Sequence, residues 1–253
     1  MSKFPSGCFV AGTDTGVGKT VVTAALALKL CRQGVRVGVM KPIETGLNAD
    51  HSAHSDAMRL RASACVSDPL DAVSPYRLPL PLAPLDAARH AGETLDVDRI
   101  LAAFGDLASR HSFMLVEGAG GILVPIARGV SFRDLIVRLG LPTIIVGRLT
   151  LGGINHGLLT IEALQQYGIV VRGIVLNHIS QAQNSSVPQQ NSSVPQMQRE
   201  SCLQLLRELS GVPVIGPLPH EPLLNENWEQ GVERVAESQA LSELADLIKA
   251  DAF

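Results

Sequence analysis

A short apolar run at 8–11 enters a glycine-rich turn, Gly12 to Thr20 (GTDTGVGKT), and the chain then continues as VVTAALALKLCRQ, apolar on most of its sides. Strand, glycine-rich turn and buried helix in that order constrain the fold tightly. Such a helix covers its apolar surface only by packing on the sheet to which the strand belongs, and the turn between them carries backbone N–H groups to the helix N-terminus. Gly18-Lys19-Thr20 gives that turn the chemistry of a phosphate-binding loop. The glycines let N–H groups close round a β-phosphate, Lys19 reaches the β- and γ-phosphates as a mobile charge, and the Thr20 hydroxyl suits Mg²⁺. The strict spacing GxxxxGK[ST] asks for glycine where Thr13 stands, and Gly12 lies one residue earlier. A turn without a ligand is the alternative this mismatch leaves; the strand before it and the helix after it favour the nucleotide.

The rest of the chain alternates in the same way. Strand-like runs at 35–41, 113–117, 142–146, 170–176 and 212–216 are separated by helical stretches at 55–64, 96–110, 132–139, 154–167, 197–209 and 239–249, while the proline-rich 78–84 reads as a loop or extended connection. This alternation predicts a single α/β domain over 1–253, a P-loop NTPase architecture with six or seven strands in a mostly parallel β-sheet and helices on both faces. Aromatic residues make up 4%, so the core must come from Ala, Val, Leu and Ile. Residues 183–196 are a tandem heptapeptide, QNSSVPQ twice, and are expected to form a flexible surface loop without chemistry.

The formal net charge of −3 gives no electrostatic footprint for nucleic acid. The longest apolar runs are strand-length, far short of the roughly 18 residues of a membrane span. No signal-peptide pattern opens the chain, and Cys8, Cys31, Cys65 and Cys202 form no CxxC pair, which reads as free buried thiols in the cytoplasm.

A phosphate loop needs carboxylates to complete its magnesium site, since Mg²⁺ takes oxygen ligands. Glu117 ends the run FMLVE and precedes a stretch of small residues, which puts it at the mouth where open α/β sheets bind ligands. Asp56, in HSDA, stands at a helix start, where it is either a metal ligand or an ordinary first-turn acid. Lys41-Pro42 closes the second strand at the same edge, where a second lysine would stabilise charge on a transferring phosphoryl group, and Thr45 adds a hydroxyl on the turn.

These segments together, GTDTGVGKT at 12–20, KPIETG at 41–46, HSDA at 54–57, VEGAGG at 116–121, LGGINH at 151–156 and Asn177 after VVRGIVL, resemble the dethiobiotin synthetase family over nearly the whole chain. The loop of that family has the same extra residue. The resemblance implies an ATP-dependent reaction of 7,8-diaminononanoate with CO₂. One amine becomes a carbamate, the carbamate oxygen takes the γ-phosphoryl group, and the second amine closes the cyclic urea with release of phosphate. It also implies roles: Lys41 and Lys19 as catalytic cations, with Thr13 touching the reacting group; Thr20, Asp56 and Glu117 on Mg²⁺; Gly16, Val17, Gly18, Lys19, Thr20 and Val21 round the phosphates, with Gly118, Ala119 and Gly120 beside them. Asn177 and His178 would meet adenine, Pro219, His220, Glu221 and Glu226 the rest of the nucleoside, Thr45 and Asn155 the diamine, and the diamine site would lie at a homodimer interface. Departures are His178 where the family often has Asp, and Thr45 where Ser is common. A partitioning ATPase of the related branch is the alternative; those proteins usually carry Lys where Asp14 stands.

Overall fold

Strands covered on both faces are continuous apolar runs, and the central sheet is assembled from such runs. The computed structural model describes residues 6–47, 55–150, 152–178 and 194–249. In chain order they form β1 (Ser6–Gly12), α1 (Lys19–Arg32), β2 (Val37–Met40), β3 (Ile43–Thr45), α2 (Asp56–Ser63), α3 (Leu70–Val73), β4 (Tyr76–Leu78), α4 (Pro84–Ala91), α5 (Val97–Arg110), β5 (Phe113–Gly121), β6 (Pro125–Ala127), β7 (Val130–Ser131), α6 (Phe132–Leu139), β8 (Thr143–Arg148), α7 (Gly153–Gln165), β9 (Val171–Asn177), α8 (Val194–Leu209), β10 (Val214–Leu218), α9 (Leu223–Glu226), α10 (Trp228–Glu237) and α11 (Gln239–Lys249).

Six strands make one sheet in the order β10-β9-β8-β1-β5-β2, and each pairing in it is parallel. Helices cover it on both faces: β5 is packed by α1 and by α5 and α6, and β9 by α11 and by α7. The element that ties the phosphate loop to this core is α1. Val22, Ala24, Ala25, Leu26, Ala27 and Leu30 are all buried. Its alanines let the helix approach the sheet closely, so the first turn, with Lys19 and Thr20, is held against the strand ends. Burying the Val and Leu side chains contributes about 1.5–3 kcal/mol each before entropy is counted.

Local chemistry sets the helix starts. The Ser55 hydroxyl accepts from the Met58 N–H at 3.2 Å, Asp96 caps α5 through the Asp98 N–H at 2.8 Å, and Ser131 with Asp134 forms a capping box on α6.

The structure departs from the expected elements in several places. Pro84 is not the end of a loop; it lies in the first turn of α4, where its fixed φ and missing N–H cost nothing. The small parallel pair β3–β4 and the helix α10 were not anticipated: the strands are too short to show a period. Of the tandem heptapeptide, 183–193 lies outside the described residues, and Val194 already belongs to α8. Cys8 and Cys202 are buried as expected, but Cys31 is half-buried and Cys65 exposed. Among the described residues no helix is long and apolar enough to cross a membrane.

Candidate active site

In a parallel sheet all the strands end at one edge, and the expected site residues converge there. β1 runs into the loop of 13–18, β2 ends at Met40 with Lys41 next, β8 ends at Arg148 and β9 at Asn177. Glu117 sits deeper than a strand end. β5 continues through Gly121, Glu117 pairs in register with Val10 of β1, and its side chain is 0% exposed. It is therefore a carboxylate built into the sheet, and the stretch 118–121 runs on beside the phosphate loop, with Gly121 opposite Gly12.

A charge placed that deep needs partners. The Lys41 ammonium lies 2.6 Å from Glu117 Oε1 and 2.9 Å from Asp56 Oδ2, and also donates to the Gly118 carbonyl at 3.3 Å. The Thr20 hydroxyl donates to Glu117 Oε1 at 2.8 Å and lies within hydrogen-bonding reach of Asp56. Glu117 Oε2 is buried without a hydrogen-bond partner. Thr20, Lys41, Asp56 and Glu117 thus meet from α1, the end of β2, the start of α2 and β5. Asp56 is the first residue of α2, as its reading as a first-turn acid expects, and it also joins this cluster through Lys41.

The cluster sets its own protonation. Burial alone would lower the Lys41 pKa, but the Glu117 and Asp56 carboxylates outweigh it and hold Lys41 well above the ordinary lysine value, as the ammonium. Burial pushes the Asp56 carboxyl up, and the Lys41 charge, with help from Thr20 and Arg59, brings it below the usual value. Lys19 goes the other way. Burial and repulsion from Lys41 lower it to about 8, against the opposing pull of Glu117, Asp56 and Asp14. Its ammonium donates to the Asp14 carbonyl at 2.9 Å.

Sequence reasoning missed Glu44 and Arg148. Glu44 is buried, accepts from the Asp56 N–H at 2.5 Å and the Ala57 N–H at 3.2 Å, and so fastens the N-terminus of α2. Burial and the Asp56 charge raise its pKa. It lies inside the KPIETG segment, and a buried carboxylate next to a helix start is its only signal. Arg148 donates to the Thr15 carbonyl at 2.6 Å. It becomes visible only when β8 is known to lie beside β1.

The remaining candidates lie apart from this cluster. Thr13 is joined to β8 through its N–H and the Val146 carbonyl, 3.0 Å. The Asn177 amide donates to the Val17 carbonyl at 3.1 Å. It fills the space beside Gly18, which has φ +93 and where a Cβ would stand 2.0 Å from Asn177 Nδ2; only glycine fits. His178 faces His220 edge-on with ring centroids 6.2 Å apart, and burial together with Arg199 and His220 lowers the His178 pKa. Pro219 follows β10, and Glu221 accepts from the Leu223 N–H at 3.1 Å. Glu226 lines a cleft of about 690 Å³ between α1, α2 and α10, whose walls include Met58, Arg59 and Trp228; Asn177, His178 and His220 are not among its walls. Thr45 lies on β3, opposite Leu78 of β4, and Asn155 is exposed in the first turn of α7.

A family model described as an AAA domain matches residues 6–227. The chain resembles the solved MinD cell division protein of Aquifex aeolicus with a TM-score of 0.52 at 14% identity, over 97% of this chain and 96% of that one. It resembles a ParA family ATPase of Chlorobium tepidum TLS with a TM-score of 0.51 at 14% identity, over 98% of each. At such identities these likenesses establish the fold alone. Sequence relatives go further: an ATP-dependent dethiobiotin synthetase of Thermodesulfovibrio yellowstonii is 42% identical over 88% of this chain and 92% of its own length. One of Methanocaldococcus jannaschii is 42% identical over 68% of this chain and 79% of its own. The converging strand ends, the buried lysine–carboxylate cluster and these identities lead to one conclusion: the chain belongs to the family of ATP-dependent dethiobiotin synthetases.

Proposed function

We propose that this protein uses ATP to join CO₂ to 7,8-diaminononanoate and close the ring of dethiobiotin. The single observation that carries the reading is the Lys41 ammonium, buried and held protonated between Glu117 and Asp56 beside the phosphate loop.

The chemistry needs such a cation. One amine adds to CO₂ and loses a proton, giving a carbamate. A carbamate oxygen then attacks the γ-phosphorus of ATP, the bond to the bridging oxygen breaks, and ADP leaves. The second amine attacks the carbonyl of the resulting carbamic–phosphoric anhydride, expels phosphate and forms the cyclic urea. In the phosphoryl step one anion attacks another, so positive charge must screen both. A lysine whose pKa is raised is unsuited to act as a base and well suited to that screening. Lys19 supplies a second cation at the loop, and Thr13, tied to Val146 of β8, would touch the reacting group.

The donors fit Mg²⁺. Thr20, Asp56 and Glu117 present only oxygen, and the unpartnered Glu117 Oε2 is an acceptor still to be satisfied. Mg²⁺ would complete its shell with phosphate oxygens and water. Held by Thr20, Asp56 and Glu117, the ion would neutralise charge on the phosphates, and Lys41 would screen the carbamate.

Gly16 to Val21 would hold the phosphates, with Gly118, Ala119 and Gly120 along their side. Asn177 uses one amide hydrogen on Val17, leaving the other and its carbonyl oxygen for the N7 and N6 of adenine. His178, Pro219, His220 and Glu221 border that end, with Glu226 beyond them. Thr45 and Asn155 would meet the diamine, with a second subunit completing its site.

The test is a coupled assay with protein, ATP, Mg²⁺, bicarbonate and 7,8-diaminononanoate, followed for phosphate and the cyclic urea. Stoichiometric formation of both is the expected result. ATP hydrolysis indifferent to the diamine would replace this reading with that of a switch ATPase.

A further inference from the structure

Two successive carbonyls of the phosphate loop are taken by basic side chains. The Asp14 carbonyl accepts from the Lys19 ammonium at 2.9 Å. The next carbonyl, Thr15, is taken by Arg148 Nη2 at 2.6 Å, from β8. A trans peptide is planar, with its C=O and the following N–H pointing in opposite directions. A hydrogen bond that holds the Thr15 carbonyl toward β8 therefore turns the Gly16 N–H toward the cradle.

That orientation needs holding. Gly16 has φ +68, and glycine crosses between positive and negative φ at little cost, so the peptide before it is able to flip. Flipped, it would present an oxygen to the phosphate in place of a donor. Arg148 is suited to prevent this. Its planar guanidinium is a rigid donor, its Nη2 also lies 4.0 Å from the Asp14 carboxylate, and it stands 3.7 Å from the position a Gly16 Cβ would take. Asp14 is tied into the same turn, accepting from the Thr15 N–H at 2.7 Å. A charged donor on the carbonyl also polarises the peptide and strengthens the N–H at its other end.

We infer that Arg148 is a positioning residue for ATP: by holding the Thr15 carbonyl it locks the Thr15–Gly16 peptide with its N–H turned into the phosphate cradle. This rests on the reading of 12–20 as a nucleotide loop.

The test compares Arg148→Met, Arg148→Lys and Lys19→Ala by ATP binding and steady-state kinetics in the presence of diamine. Loss of one charged hydrogen bond weakens binding by roughly tenfold or more. Arg148→Met is expected to raise KM and Kd for ATP by about that factor, with a smaller change in kcat. Arg148→Lys, which keeps a charged donor, recovers part of the affinity. In amide spectra of the ATP complex, the Gly16 N–H of Arg148→Met loses the downfield position of a phosphate-bound donor. If Lys19→Ala abolishes ATP binding while Arg148→Met keeps wild-type affinity and an unshifted Gly16 amide, the role of Arg148 is refuted and the loop stands. Should Lys19→Ala bind ATP normally, the loop reading itself fails.

Discussion

Lys41 and Glu117, 76 positions apart in the chain, meet at 2.6 Å because β2 and β5 are neighbours in the sheet, and both side chains are buried. Removing one partner of a buried pair leaves the other charge stranded, at about 3–5 kcal/mol. Lys41→Met is therefore expected to lower the unfolding midpoint markedly and to reduce diamine-dependent phosphate release by about a hundredfold or more. Adding Glu117→Gln in the same chain should restore part of the stability and none of the activity, which thermal unfolding and the coupled assay read separately. Full turnover in Lys41→Met would remove the proposed mechanism.

Lys19 predicts a pH dependence. Its pKa is lowered from 10.5 to about 8, by burial first and by Lys41 second, and the proposed contact with phosphate needs its charged form. The value of kcat/KM for ATP should accordingly be level below about 8 and fall as pH rises through it. The sign for stability is opposite. Between about 8 and 10.5 the unfolded chain holds the Lys19 proton that the folded one has lost, so this group makes the fold more stable as pH rises. An activity loss in that window accompanied by no loss of folded signal is the expected pattern. A flat kcat/KM profile across it would be inconsistent with Lys19 as a phosphate ligand.

Much of this site was legible in the sequence because its residues sit at the ends of long, strongly patterned elements. The loop before α1 and Lys41 after β2 follow from strand and helix periods, whereas Asn177, at the end of β9, is singled out by the family resemblance. Strand order is not in any period, however. That β8 lies beside β1, which brings Arg148 to the Thr15 carbonyl, follows from packing alone. The sequence puts Glu117 at a strand end, before the small residues 118–121; pairing of Gly121 with Gly12 carries the strand past it and draws the carboxylate into the sheet. Glu44 escaped because its partners are backbone N–H groups of a helix that begins 12 residues later.

Glu44 yields a prediction about metal affinity. It holds two N–H groups at the start of α2, and Asp56 is the first residue of that helix. Glu44→Ala leaves both donors without their carboxylate and should cost about 1–3 kcal/mol in unfolding free energy. Because the same turn aims Asp56, the Mg²⁺ concentration for half-maximal activity should rise several-fold. Glu44→Gln keeps an acceptor of the same shape and should fall between the two. A Glu44→Ala protein with reduced stability and an unchanged Mg²⁺ requirement would show that Asp56 is aimed without it.

Asn177 predicts nucleobase selectivity. Its amide bonds the Val17 carbonyl and presses on Gly18, so its position is set by the same loop that holds the phosphates. A bidentate amide–adenine pair distinguishes bases by about 1–3 kcal/mol, or roughly tenfold to a hundredfold in kcat/KM. Asn177→Ala should lower the ratio of kcat/KM for ATP to that for GTP by a factor in this range, chiefly by weakening ATP. Asn177→Asp keeps an acceptor for the adenine amino group but loses the donors to N7 and to Val17, so it should lose selectivity as well and bind both nucleotides less tightly. Measuring both nucleotides in each variant separates base readout from support of the loop. If Asn177→Ala weakens ATP and GTP equally, the residue supports the loop through Val17 and does not read the base.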